Sequence, residues 1–293
     1  GELLKARKIF GKRFGKVYVE FAEPISLKNF FNDSPLGLKS AAADLRSAVT
    51  AFAYHLTYHI NKAVVVTPLA LVALTVLSFA RDTLREEEIF ERLRLFKNYL
   101  DFKDVRYSDI ILFSDRYAFQ EALQKLIERG LLKETKGAEG RLLTLEKRNR
   151  TELDYSKNNI LHFFVSLVCF CKVLRSLGES ESIAILEIVT RYEKIKTLFR
   201  HDFIFSERST LEEHVLRVIT YCQKKGFVTF ESGRLQKTIL SKNARTYLAF
   251  DGLLDNFLAS HLIALAYFKD HTIKNKETKG LVKEILTFGR QAN

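Results

Sequence analysis

Methionine is absent from this chain of 293 residues, and it holds only three prolines, three cysteines and thirteen glycines. A chain of this size normally carries several methionines. Proline and glycine are too scarce to interrupt helices often, so the expectation is a mainly α-helical fold with small β-hairpins. Cys169, Cys171 and Cys222 are odd in number and lack metal-ligand spacing. That excludes a disulfide framework or a zinc ribbon, and the reading is reduced, buried thiols in a cytosolic setting. The run from Ala63 to Ala80 holds no charge, yet Pro68 suits the first turn of a helix that then falls short of a bilayer's width. We expect a buried core helix there, with shallow membrane burial as the alternative. Asn158 to Cys171 is a second charge-free run, too short to span.

What is abundant is apolar and basic. A hydrophobic share of 47% is ample for a core of one large or two medium domains. A net charge of +12 calls for an anionic partner: nucleic acid, an anionic membrane surface or a phosphorylated substrate. The densest basic cluster is Lys5, Arg7, Lys8, Lys12, Arg13 and Lys16, which lacks the interleaved aromatics of a base-stacking platform.

Residues 16 to 27 read as a short strand with Val17, Val19 and Phe21 on one face and Tyr18 and Glu20 on the other, ended by Pro24. Residues 41 to 61 have helical apolar spacing at Leu45, Val49, Phe52, Leu56 and Ile60. His55 and His59 lie four apart there, but no carboxylate or cysteine completes a metal site. A weak repeat follows. Tyr117 to Gly130 and Leu211 to Gly226 are each a helix closed by glycine and followed by a hairpin, Leu131–Thr135 with Arg141–Leu145 and Phe227–Glu231 with Leu235–Leu240. The closing glycines stand 96 positions apart, at 130 and 226. These units are winged-helix-like, and on a basic chain they offer a non-catalytic alternative: a tandem nucleic-acid or protein binder. Glu121, Glu128, Glu212 and Glu213 sit on the would-be reading helices and repel a duplex, which favours scaffold over nucleic acid. Leu253 to Phe268 reads as a further core helix whose residual face meets lipid, and Leu281 to Phe288 as a short helix.

Tyr18-Val-Glu-Phe-Ala-Glu-Pro-Ile-Ser-Leu27 resembles the last acyltransferase block of the glycerol-3-phosphate and dihydroxyacetone-phosphate acyltransferase family, commonly Y-V-x-F-G-x-P-I-S-L. Leu4–Ile9, Ile60-Asn61 with Val66–Val72, and Tyr155-Ser-Lys-Asn-Asn-Ile-Leu-His-Phe-Phe164 resemble further segments in the family's order, and residues 192 to 205 extend the likeness loosely. Ala22 departs from the family's glycine. The larger departure is the catalytic H-x-x-x-x-D motif: none of the seven histidines, His55, His59, His162, His201, His214, His261 and His271, has aspartate five residues on. The resemblance therefore implies a region downstream of the chemistry, with no catalytic residue, metal or cofactor of its own.

The resemblance implies the last strand and exit turn of an α/β acyltransferase domain over residues 1–40, then helical regions 41–150 and 151–293, each with one helix–hairpin unit. It implies an intact enzyme that moves an acyl chain from acyl-CoA or acyl carrier protein to the sn-1 hydroxyl of glycerol 3-phosphate or dihydroxyacetone phosphate. The expected location is the cytoplasmic face of a membrane, peripheral or monotopic. Phe21, Glu23 and Pro24 are assigned to a substrate-pocket wall. Asn158, Asn159 and His162 either flank the acyl or phosphate channel or are the capped start of a helix with a packed histidine.

Overall fold

A computed structural model describes residues 16–33, 42–137, 140–178, 182–205, 210–237, 246–271 and 278–291. The segment Leu4–Ile9 and the basic cluster up to Arg13 lie outside the described residues, as do positions 238–240 of the second expected hairpin.

Helices dominate. α1 (Leu27–Asp33) and α2 (Ala42–Lys62) come first, then α3 (Pro68–Leu77). α3 starts where the residues dictate: Pro68 occupies the first turn and the Thr67 hydroxyl accepts from the Ala70 N–H at 3.3 Å. Its uncharged residues Leu71, Val72, Ala73 and Leu74 are fully buried, so the run from Ala63 to Ala80 supplies a core helix. Around α3 stand β1 (Thr83–Arg85), α4 (Glu86–Phe102), α5 (Asp109–Phe113), α6 (Asp115–Glu128), β2 (Leu132–Gly137) and β3 (Gly140–Leu145). The sheet order is β1-β3-β2, all antiparallel, with Leu84 opposite Leu143 and Leu132 opposite Leu145.

The same sequence of elements then recurs. α7 (Arg150–Leu161) leads at a 99° bend into α8 (Val165–Ser176), followed by β4 (Ser182–Ala184), α9 (Ile185–Leu198), α10 (Leu211–Lys224), β5 (Val228–Glu231) and β6 (Arg234–Lys237). The second sheet has order β4-β6-β5, with Ile183 opposite Leu235. α8 occupies the place in this unit that α3 holds in the first, packed on α9 and α10. Gly130 (φ 72°) follows α6 and Gly226 (φ 70°) follows α10, each turning the chain into its hairpin through the left-handed region that favours glycine. α10 is opened by a capping box: Thr210 N–H donates to Glu213 Oε2 at 2.9 Å, and Glu213 N–H to Thr210 Oγ1 at 3.2 Å.

One continuous apolar core runs through both units. Its joint is aromatic: Tyr99 of α4 lies 4.8 Å from Tyr221 of α10 and 5.4 Å from Phe164, and Phe96 lies 5.1 Å from Phe250 of α11 (Leu248–Asp251). Buried rings in edge-to-face and tilted pairs add to area burial by about 0.5–1.5 kcal/mol each. α12 (Asp255–Asp270) and α13 (Thr278–Gln291) complete the chain as an antiparallel pair.

Two local expectations are corrected. Residues 16–26 have no regular secondary structure, because a strand needs a neighbour for its N–H and C=O groups and none is offered among the described residues. Tyr155–Leu161 is the second half of α7, not a helix start; the helix begins at Arg150, so neither Ser156 nor an asparagine there caps free amides.

Candidate functional site

Phe21, Glu23 and Pro24 sit on an extended ribbon laid over the first unit. Phe21 is 86% exposed, and Val17, Val19, Glu23 and Pro24 are exposed as well. The ribbon is tethered at its polar positions: Glu20 pairs with Arg106, and Lys16 Nζ lies 3.7 Å from Asp109 Oδ2. Arg106 is a firm anchor, since its carbonyl accepts from the Val66 N–H at 2.8 Å and the Ser108 N–H donates to Val66 O at 3.0 Å. Two residues beyond Pro24, the Ser26 hydroxyl accepts from the Asn29 N–H at 3.2 Å and starts α1. Phe21, Glu23 and Pro24 are thus all exposed on the ribbon that leads into α1. The signal for Arg106 was absent from the sequence reading, because a loop arginine 86 positions from Glu20 carries no spacing rule.

His162 stands apart from that ribbon. Its Nε2 lies 2.8 Å from Asn61 O at the end of α2, and its ring is 4.1 Å from that of Phe163. Burial pushes its pKa down to about 4, outweighing the hydrogen bond to Asn61, and Lys103 pushes the same way. A neutral imidazole donating to a carbonyl is a joint between α2 and the α7–α8 bend. Asn158 and Asn159 are exposed on α7. Among the described residues, no hydrogen bond joins Asn158, Asn159 or His162 to residues 16–27.

Cys169, Cys171 and Cys222 are buried free thiols, and burial pushes Cys169 up to about 12, so it remains protonated. No group of three His, Cys, Asp or Glu side chains able to hold a metal occurs among the described residues. A cleft of about 450 Å³ is lined by Glu86, Glu87, Glu91 and Arg94 of α4 and by Asp115 and Arg116 of α6. Its charged groups can bind, and its carboxylates are the lining side chains able to exchange a proton.

A buried ion cluster fixes α11 to α8. Asp251 is 2% exposed; its Oδ2 accepts from Arg175 Nη1 at 2.7 Å, and Lys172 Nζ reaches Asp251 O at 3.0 Å and Asp255 Oδ1 at 3.1 Å. This cluster, too, went unseen in the sequence.

Over residues 1–293 the sequence matches the family described as the glycerol-3-phosphate acyltransferase C-terminal region. Among similar proteins, the glycerol-3-phosphate acyltransferase of Pseudomonas putida (strain W619) is 32% identical over 170 residues, 56% of this chain and 20% of that protein. The protein of the same name from Actinobacillus pleuropneumoniae serotype 3 (strain JL03) is 29% identical over 237 residues, 77% of this chain and 28% of that protein. That of Pseudomonas entomophila (strain L48) is 31% identical over 170 residues, again 56% of this chain and 20% of the relative. The chain thus spans only 20 to 28% of the length of these relatives. It belongs to the family of the glycerol-3-phosphate acyltransferase C-terminal region.

Proposed function

We propose that the intact protein is a glycerol-3-phosphate acyltransferase of phospholipid synthesis and that this chain is its non-catalytic C-terminal region. The acyl chain passes from acyl-CoA or acyl carrier protein to the sn-1 hydroxyl of glycerol 3-phosphate or dihydroxyacetone phosphate, at the cytoplasmic face of a membrane that the protein meets without crossing. One observation carries the reading: the whole chain matches the C-terminal region of these enzymes, while none of its seven histidines is followed by an aspartate five positions on. The acyltransferase domain then closes near residue 40, and regions 41–150 and 151–293 each contribute a helix–hairpin unit as scaffold.

In this reading Phe21, Glu23 and Pro24 form a wall of the substrate pocket. An apolar ring and a rigid turn shape such a wall and do no acid–base work. Their outward presentation on a ribbon tethered through Glu20 and Arg106 supports the assignment, because a wall contributed to a neighbouring domain is exposed until that domain is in place. Asn158 and Asn159 are open to a bound group, whereas His162 is already engaged by Asn61.

The test is thioester release from acyl-CoA with glycerol 3-phosphate as acceptor, measured on the intact protein and on this chain. Turnover by the intact protein alone supports the proposal. Turnover by this chain contradicts the placement of the base upstream, and turnover by neither sinks the assignment.

A further inference from the structure

α12 leaves the core part-way along its length. Its entry is fixed by the Asp251 cluster, by Phe257 at 5.1 Å from Phe203, and by His261 Nε2 at 3.1 Å from Asp202 Oδ2. Beyond that point Leu262 and Leu265 are 66% and 62% exposed, and Phe268 is exposed too. α13 folds back on it: Gly289 sits so close to Ile263 that a Cβ would come within 3.0 Å, and the Phe288 ring is 5.7 Å from Tyr267. With that inner face spent, Val282 and Leu286 point outward, 50% and 57% exposed.

The cations on this pair follow its apolar side chains, with an exposed carboxylate, Asp270, beside Lys269. Lys279 and Lys283 lie three residues before Val282 and Leu286, Arg290 lies four after Leu286, and Lys269 lies four after Leu265, so each cation borders an exposed apolar side chain. None of these four forms an ion pair among the described residues. The single carboxylate of α13, Glu284, accepts from the Tyr267 hydroxyl. The exposed stripe of α2, with Leu45, Val49 and Ile60, has one such neighbour, Arg46 three residues before Val49.

We propose that the α12–α13 pair is the element that docks on an anionic lipid bilayer, with Leu262, Leu265, Phe268, Val282 and Leu286 in the acyl boundary and Lys269, Lys279, Lys283 and Arg290 at the lipid phosphates. This rests on the reading that the intact enzyme works at a membrane face. Apolar side chains flanked by unpaired cations are what an in-plane helix needs, the first for the acyl boundary and the second for the headgroups. The stretch Leu248–Asp270 is long and apolar enough to cross a bilayer, but Asp251 holds its first turn inside the protein against Lys172 and Arg175, so it lies in the interface.

Hydrogen exchange over residues 255–291 of the intact protein, with and without vesicles, tests this. Phosphatidylcholine vesicles containing phosphatidylglycerol protect both helices, and pure phosphatidylcholine does so much less. The double variant K279E/K283E weakens vesicle binding roughly tenfold or more, and V282S/L286S removes the protection, both with unchanged thermal melts because the side chains are exposed. Exchange unaltered by vesicles overturns the proposal. So does protection already complete without lipid, which means another part of the protein covers the face, or protection that follows protein concentration, which means a second copy does. Acyl transfer in detergent micelles separates the two claims: a wild type active there but unprotected on vesicles defeats the docking site alone, and one inactive in both defeats the reading beneath it.

Discussion

The imidazole Nε2 of His162 lies 2.8 Å from the main-chain oxygen of Asn61, joining the end of α2 to the bend between α7 and α8. Burial holds the ring neutral, with a pKa lowered from 6.5 to about 4. Because the folded pKa lies below the unfolded one, the unfolded chain binds the extra proton between these values. Stability is therefore full above pH 6.5 and is lost as pH falls toward 4, by on the order of 3 kcal/mol at the limit. Urea unfolding at stepped pH checks this: the wild type loses stability across that window, and His162→Gln, which does not titrate, loses less.

Asp251 gives the second prediction. Asp251→Ala removes the acceptor for Arg175 and one of the partners of Lys172, a cation whose side chain is only 13% exposed. Breaking a buried pair from one side costs about 3 kcal/mol or more, since it strands the other charge. Arg175→Ala, at an exposed position, costs far less because Lys172 still faces Asp251. Chemical denaturation of the two variants shows the asymmetry; equal losses refute the account.

Gly130 and Gly233 lie at φ 72° and 73° with open space where a side chain would go. Alanine there meets no clash, so its cost is the backbone conformation alone, about 1–2 kcal/mol at each site. Gly137 is different: a Cβ would come within 2.8 Å of the Leu142 side chain, although its φ is not in the left-handed region. Melting curves should show Gly130→Ala and Gly233→Ala falling together.

The hairpins were legible because their signals are local. Gly130 and Gly226 end helices at the expected places, and the β2–β3 pairing from Leu132 to Leu145 follows directly. β1 and β4 were not legible: each is three residues long, and each is a strand only by pairing with β3 or β6. The expected strand at residues 17–21 fails for the converse reason, having the alternation without the partner. Helical spacing in α2 and α12 marked an apolar face correctly, but spacing does not say which apolar face finds a neighbour, and Leu45, Ile60, Leu262 and Leu265 remain exposed. Tyr155–Leu161 was misplaced within its helix because the start at Arg150 has no side-chain cap to announce it.

The ribbon offers the sharpest check on the proposed pocket wall. Phe21 is exposed and packs on nothing in the described residues that its removal would unsettle, so Phe21→Ala leaves the stability of this region within about 0.5 kcal/mol of wild type. If Phe21 lines the substrate pocket, the same change in the intact enzyme lowers kcat/KM by about tenfold or more, the worth of one apolar contact of about 1–3 kcal/mol. Arg106→Ala acts at a remove: it frees Glu20, loosens the ribbon and raises KM with a smaller effect on kcat, because the wall still exists but is held less firmly. Steady-state kinetics on both variants, beside their melting curves, separates the roles. Full activity in Phe21→Ala removes Phe21 from the pocket, and a loss of stability matching the loss of activity reduces it to packing.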